Sequence, residues 1–250
     1  MDTETLAPWP KGCQGALSLT FDDGLSSQLA MAVPMLNKYG LRGTFYLNPR
    51  GVDWRDHLAP WREVAAMGHE IGNHTLSHPC SCNFSGDPNC RGLENMSLDE
   101  IEADILEAQR RIEEVITNQK KWTFCYPCWQ DFVGKGETRR SYVPVVARHL
   151  IAARGLGEVA NSPSACDLHY LWSWPVQHMS GAELIGLAER TATQNRWGIM
   201  TFHGIHQGHL PVADVDFLEL LAYLESHRDR IWTAPVVEVA QSIIKWRVHF

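Results

Sequence analysis

Two carboxylates stand side by side at Asp22-Asp23, closing an apolar, β-prone run over 16–21 and followed by Gly24. In α/β proteins ligands gather beyond the carboxyl ends of parallel strands, so a pair of acids there is placed for chemistry. Adjacent strand residues point to opposite sides, but at a strand end both can turn into one cavity. Crowded carboxylates repel unless a cation or a proton divides their roles. By itself, Asp-Asp-Gly reads equally well as a turn leading into a helix N-cap. Further along, His74 and His78 lie four residues apart at the end of another short β-prone stretch. On one helical turn or a tight loop, both rings can face a single ion. With Asp23 they make a two-histidine, one-carboxylate set that leaves positions open for water and substrate. Zn2+, Fe2+, Co2+ and Ni2+ all accept such ligands. Alone, a His-x3-His pair is more often a surface or capping feature.

These side chains need strand ends to carry them, and the chain alternates strand and helix patterns throughout. After the first strand, residues 26–39 read as a helix, with Pro34 implying a kink or late start and Gly40 a C-terminal cap. Residues 43–47 read as a strand, 61–67 as a helix and 70–74 as a strand or strand end. The stretch 79–93, rich in Cys, Ser, Gly, Asn and Pro, reads as an irregular loop. Ser97 and Glu100 form a capping box opening a helix to about residue 117, with Ile101, Ile105, Ala108, Ile112 and Val115 facing inward. Residues 123–127 read as a strand, 143–153 as a helix and 156–162 as a short strand-like segment. Ser180 and Glu183 form a second box, opening a helix to about residue 195. A strand over 197–202, a helix over 217–227, a strand over 231–233 and a helix over 236–246 complete the chain. This is the βα alternation of a parallel sheet or barrel, with no linker or composition break.

At 250 residues, with a 44% hydrophobic and 20% charged composition, the chain has the size of a single α/β barrel. A net charge of -7 argues against nucleic acid or anionic membrane as the main partner. No apolar run reaches the ~20 residues that span a bilayer. Residues 1–15 carry no signal-type apolar segment, which leads to an expectation of a cytoplasmic protein, or of a secreted one whose leader is already removed. Seven cysteines leave at least one thiol unpaired, and Cys80, Cys82 and Cys90 cluster in the irregular loop.

Thr20-Phe21-Asp22-Asp23-Gly24, followed by the unbroken stretch Gly68-His69-Glu70-Ile71-Gly72-Asn73-His74-Thr75-Leu76-Ser77-His78, resembles the polysaccharide deacetylase family, carbohydrate esterase family 4, in its chitooligosaccharide-deacetylase homology domain. Residues 43–47 are similar to that family's second strand. Phe124-Cys125-Tyr126-Pro127 resembles its third motif and Thr201-Phe202-His203 its last. The resemblance covers about 17–203, closely in the first two motifs and partially in the last two. It implies a single-domain, distorted (β/α) barrel over 1–250 and a metal-dependent hydrolase acting on an acetylated oligo- or polysaccharide. Asp23, His74 and His78 would hold the metal, foremost Zn2+, with Co2+ or Ni2+ as alternatives. Asp22 would be the general base and His203 the general acid. The backbone N–H of Cys128 would stabilise the oxyanion, with Tyr126 beside it.

Departures from the family pattern accompany these matches. Cys125 stands where the third motif often begins with an arginine that orients the base, and Cys128 where an aromatic residue is usual. Arg154 is a candidate replacement for the arginine, or else a surface residue at a helix end. Asp167 is a candidate support for His203. Trp172 and Trp174 are candidate sugar-facing walls, or core. The loop cysteines allow a second, structural zinc, but disulfides involving Cys125 or Cys128, or free thiols, are favoured. His206 and His209 read as a substrate-facing loop.

The favoured bond is the N-acetyl amide of a glucosamine-containing glycan. An O-acetyl ester of a xylan-like polymer and a small cyclic amide are alternatives. Two other classes remain: a carbohydrate-binding module without turnover, and a non-haem Fe2+ oxygenase, which would leave Asp22 and His203 without a role.

Overall fold

The computed structural model describes residues 7–85, 87 and 89–248. β1 (Gly15–Asp22) is followed by a π-type segment, Gln28–Ala32, that runs into α1 (Val33–Lys38); Pro34 sits in the first turn of α1. β2 (Thr44–Leu47) leads to α2 (Trp54–Ala66), and β3 (Glu70–Asn73) leads through the cysteine loop to α3 (Leu98–Val115). β4 (Thr123–Cys125) precedes a hairpin of β5 (Phe132–Val133) and β6 (Arg140–Ser141), then α4 (Val143–His149). β7 (Ala152–Leu156), β8 (Leu171–Pro175), α5 (Gly181–Thr193), β9 (Trp197–Phe202), α6 (Asp214–Ser226), β10 (Ile231–Thr233) and α7 (Val236–Arg247) follow. Among the described residues no helix is long and apolar enough to cross a membrane.

Seven parallel strands close a barrel in the order β1-β2-β3-β4-β7-β8-β9, and β9 returns to β1 through pairs running from Ala16–Trp197 to Phe21–Phe202. β10 joins the edge of β1 that β2 also uses, one below the other. Residues Gly15 to Leu17 pair with β10, and Thr20 to Asp22 with β2. β3 and β4 meet at one pair, Asn73 with Phe124, where the Asn73 amide also reaches the Ile105 carbonyl of α3 at 3.0 Å. These irregular seams make the distorted (β/α) barrel expected from the motifs.

β1 is buried along its whole length because its inner face fills the barrel and its outer face lies under helices. Phe21 stacks against Phe45 and Phe202, with ring centroids 4.8 and 5.2 Å apart, so β1, β2 and β9 share one aromatic layer. The capping box at Ser97 and Glu100 is present, and the five inward residues of α3 are all buried.

Several boundaries differ from the sequence expectation: the short strand expected over 156–162 lies at Ala152–Leu156, the helix expected from 217 starts at Asp214, and β8 has no counterpart in that reading. The helix expected over 143–153 stops at His149, and Ala152 already belongs to β7. A continuous apolar run through Leu150 and Ala153 does not distinguish a buried strand from a helix by its period. The helix expected over 61–67 starts at Trp54 and carries Pro60 inside it.

At the lower end of the barrel, Glu70 is fully buried at the start of β3. Its carboxylate accepts hydrogen bonds from the Thr44 hydroxyl at 2.8 Å, the Val237 backbone N–H at 2.9 Å and the Thr123 hydroxyl. It thus ties three strands to the first turn of α7. Burial, opposed by those hydrogen bonds, pushes its carboxyl up to about 7. The folded chain holds this proton more tightly than the unfolded one, so the contribution is full below about 4.5 and is lost as pH rises to about 7. Urea unfolding of wild type and Glu70→Gln should therefore diverge with pH, the variant gaining ~3 kcal/mol relative to wild type across that window. A difference independent of pH would mean that Glu70 titrates alike in both states.

Candidate active site

The upper ends of β1, β3, β4 and β9 surround a cleft of about 280 Å3. Asp22 ends β1, and Asp23 follows with φ of 73°, a left-handed backbone that brings both carboxylates to the cleft. Oδ1 of Asp23 lies 3.6 Å from Nε2 of His74 and 3.4 Å from Nε2 of His78. Ligands about 2.1 Å from a tetrahedral ion stand about 3.4 Å apart, so the three atoms fit one cation. The spacing of four residues works through a tight loop. Thr75 and His78 are left-handed, with φ of 64° and 54°. The loop is held by Asn73, which accepts from the Thr75 N–H at 2.8 Å, and by Asp104, which accepts from the Leu76 N–H at 2.8 Å.

Nδ1 of His74 lies 2.8 Å from the Cys125 carbonyl oxygen. That acceptor takes the proton on Nδ1, so it is Nε2 that a neutral ring presents as a lone pair toward Asp23. Burial, helped by neighbouring His74, pushes His78 down to about 4, which keeps it neutral as a ligand must be. Two imidazoles and a carboxylate suit Zn2+ and its first-row neighbours.

Asp22 binds elsewhere. One of its oxygens pairs with the Arg154 guanidinium, and the other accepts from the Cys125 thiol at 3.5 Å. Arg154 on β7 is the direct strand partner of Cys125 on β4, so the missing arginine of the third motif is supplied by the neighbouring strand. Burial would raise the Asp22 carboxyl, but Arg154, with smaller help from His74 and His203, holds it below the usual carboxylate range. Arg154 is itself fully buried, its guanidinium 4.8 Å above the Tyr46 ring. Gln28 donates from one amide to the carbonyls of both Asp22 and His203, tying the ends of β1 and β9 together.

His203 follows β9 with Nε2 4.0 Å from Oδ2 of Asp23. Burial lowers its pKa, with Asp22 and Asp23 opposing. His209 meets its ring edge-on at 5.4 Å. Tyr126 borders the cleft and donates its hydroxyl to the His169 carbonyl at 2.8 Å. Cys128, with φ of 51°, also borders the cleft and forms a disulfide with Cys80.

Three candidates lie outside the cleft. Asp167 is solvent-exposed and accepts from the His169 N–H at 2.8 Å, so it does not support His203. Trp172 and Asp167 line a separate cavity of about 430 Å3. Trp172 and Trp174 share one face of β8 by strand alternation, and Trp174 is buried with its indole N–H on the Glu158 carbonyl at 3.1 Å. Conversely, Trp129, Phe84, His209 and Leu210 line the cleft. Of these, the sequence reading singled out only His209. The aromatic wall removed by having Cys at 128 is supplied one residue later by Trp129, whose φ of 55° continues the left-handed turn. His206, in contrast, pairs with Asp214 at 3.1 Å on the exposed surface.

Compared with known proteins, the chain matches the polysaccharide deacetylase family model over residues 10–130, the stretch holding Asp22, Asp23, His74, His78 and Cys128. These residues belong to the polysaccharide deacetylase family. The peptidoglycan-N-acetylglucosamine deacetylase of Bacillus cereus is 33% identical over 84 residues, covering 33% of this chain and 37% of that protein. The chain spans about a quarter of the length of several other curated relatives it matches. A solved Mycobacterium smegmatis structure assigned to the polysaccharide deacetylases superposes with a TM-score of 0.68 at 16% identity, covering 97% of this chain and 95% of that one. The polysaccharide deacetylase fold therefore continues beyond residue 130. A carbohydrate esterase family 4 pseudoenzyme from Bacillus anthracis superposes at 0.56 and 14% identity, over 90% of this chain and 65% of that one.

Removing the cation beside Asp22 strands a buried carboxylate in this polysaccharide deacetylase cleft. Arg154→Met should cost about 3–5 kcal/mol in urea unfolding at neutral pH. A loss below about 1 kcal/mol would show that the pair is a surface-like contact.

Proposed function

We propose that the chain is a metal-dependent hydrolase, one catalytic domain over 1–250, that removes the N-acetyl group of a glucosamine-containing glycan. The reading is carried by one observation: a three-ligand group, Asp23, His74 and His78, lies between an arginine-paired carboxylate, Asp22, and a buried imidazole, His203.

A divalent cation held by Asp23, His74 and His78, foremost Zn2+, would polarise the acetyl carbonyl and acidify an attacking water. Asp23 commits its charge to that ion. Asp22, kept ionised by Arg154, takes a proton from the water as its oxygen adds to the carbonyl carbon. The Cys128 N–H donates to the carbonyl oxygen as charge develops there. His203, whose proton burial loosens, gives it to the leaving nitrogen as the C–N bond breaks, releasing acetate and an amine. Trp129 and Tyr126 shape the wall against which the acetylated unit rests.

The same set serves an O-acetyl ester or a cyclic amide, since the attack on the carbonyl is unchanged. A binding module without turnover is the reading that the Bacillus anthracis pseudoenzyme favours, because it shares the fold. The joint presence of Asp22, Asp23, His74, His78 and His203 favours turnover.

Acetate release, measured across chitooligosaccharides, peptidoglycan fragments and acetylated xylan, should be highest on one of the two N-acetylated classes. No release from any of them would leave the binding module. Asp22→Asn should retain the metal while turnover falls by about 10²-fold or more. Loss of metal in that variant would reverse the division of labour between Asp22 and Asp23. His74→Ala should lose metal and activity together, whereas full metal content would remove His74 from the ligand set.

A further inference from the structure

His78 has two faces. Its Nε2 points to Asp23 at 3.4 Å, and its Nδ1 lies 3.6 Å from Sγ of Cys80, which is bonded to Cys128. The ligand atoms of His78, Cys80 and Cys128 all lie within 4.8 Å of one another, and all three residues are partly exposed. A sulfur about 2.3 Å and a nitrogen about 2.0 Å from one tetrahedral zinc stand about 3.5 Å apart, close to the separation between His78 and Cys80. Two such sulfurs stand about 3.8 Å apart, so the pair must part by nearly 2 Å once its bond is broken. A cavity of about 940 Å3, lined by His78, Cys80, Ser81 and Phe84 among others, gives solvent and ions a way in.

While the two sulfurs are bonded to each other, neither offers a thiolate. We propose that Cys80, Cys128 and Nδ1 of His78 form a second metal site, closed by the disulfide and opened by its reduction, that takes a thiophilic divalent cation such as Zn2+ or Co2+. Opening requires two electrons from a named reductant. A phosphine attacks one sulfur, the S–S bond breaks, water supplies the oxygen that ends on phosphorus, and both sulfurs leave as thiols. A dithiol does the same by exchange and ends as its own disulfide. Binding the cation then releases two protons from the thiols, and a third from Nδ1 of His78 when Nε2 already holds a cation, the ring then bridging as an imidazolate. With water as fourth ligand, the set is a two-cysteine, one-histidine site with an open position. Its occupant also holds the imidazole that the trio uses. The second site stands without the hydrolase reading, and only its effect on turnover rests on it.

The test uses the full chain carrying Cys82→Ser and Cys90→Ser, which removes the two other thiols of the same loop. Co2+ content and absorbance are compared before and after phosphine treatment. The remaining free thiols are present in both states, so their contribution cancels. The reduced chain should bind one more Co2+ per chain than the oxidised chain and gain a thiolate-to-cobalt charge-transfer band in the near ultraviolet. Alkylating the reduced chain with iodoacetamide, or adding Cys80→Ser and Cys128→Ser, should abolish both. Equal Co2+ content in the two redox states overturns the proposal, as does a band that survives alkylation. The alkylation arm needs no further substitution, so a misfolded cysteine variant does not blunt the test.

Discussion

The buried pair of Asp22 and Arg154 is the interaction on which the cleft depends. A carboxylate closed off from water at the end of β1 would ordinarily hold its proton, and a protonated acid cannot serve as a base. Arg154 reverses that by lying directly against it, inside a shell of Tyr46 and Cys125. The cost is two charges removed from water, an arrangement that well-packed apolar residues often match or exceed in stability. Held at the mouth of the barrel, the pair keeps a charged carboxylate at the edge of the cleft. Around the pair, Gln28 joins the ends of β1 and β9, and Cys125 offers its carbonyl to His74 and its thiol to Asp22. One short strand end therefore orients both His74 and Asp22.

Backbone strain concentrates in the same place. Asp23, Thr75, His78, Cys128 and Trp129 all take left-handed conformations, although none is glycine. Side chains that leave separate strand ends along the barrel wall must be bent inward to meet, and these residues supply the bends. Hydrogen bonds from the Thr75 and Leu76 N–H groups to Asn73 and Asp104 compensate in one loop, and the disulfide ties the other to it.

How much was legible in the sequence follows from how local each signal is. The Asp22-Asp23 pair and His74-x3-His78 sit in short motifs that can be read locally, and in the structure side-chain atoms of Asp23, His74 and His78 lie within 4.8 Å of one another. The capped helix α3 is equally readable, because its period and its box are both local. Arg154 required knowing which strand lies beside β4, and a run of apolar residues hid β7 inside an expected helix. Asp167, Trp172 and Trp174 were attractive by residue type, but strand alternation and a long connection send them to another face. Trp129 carried a signal in plain view, an aromatic next to the cysteine that replaces one. What hid it was the left-handed turn, which moves the wall by one position.

The edge of β1 that is divided between β2 and β10 has a consequence for assembly. Gly15 to Leu17 wait for Ile231 to Thr233, more than two hundred residues downstream, and β9 must close the other edge. Contacts so distant in sequence are the slow ones to form. A chain emerging from the ribosome can bring Arg154 to Asp22 once β7 is out, but it cannot add His203 or close the ring until β9 has emerged, nor cover its floor until α7 follows. Until then the fully buried strand β1 has a bare edge, and this is the interval in which the nascent protein depends on protection from its own copies.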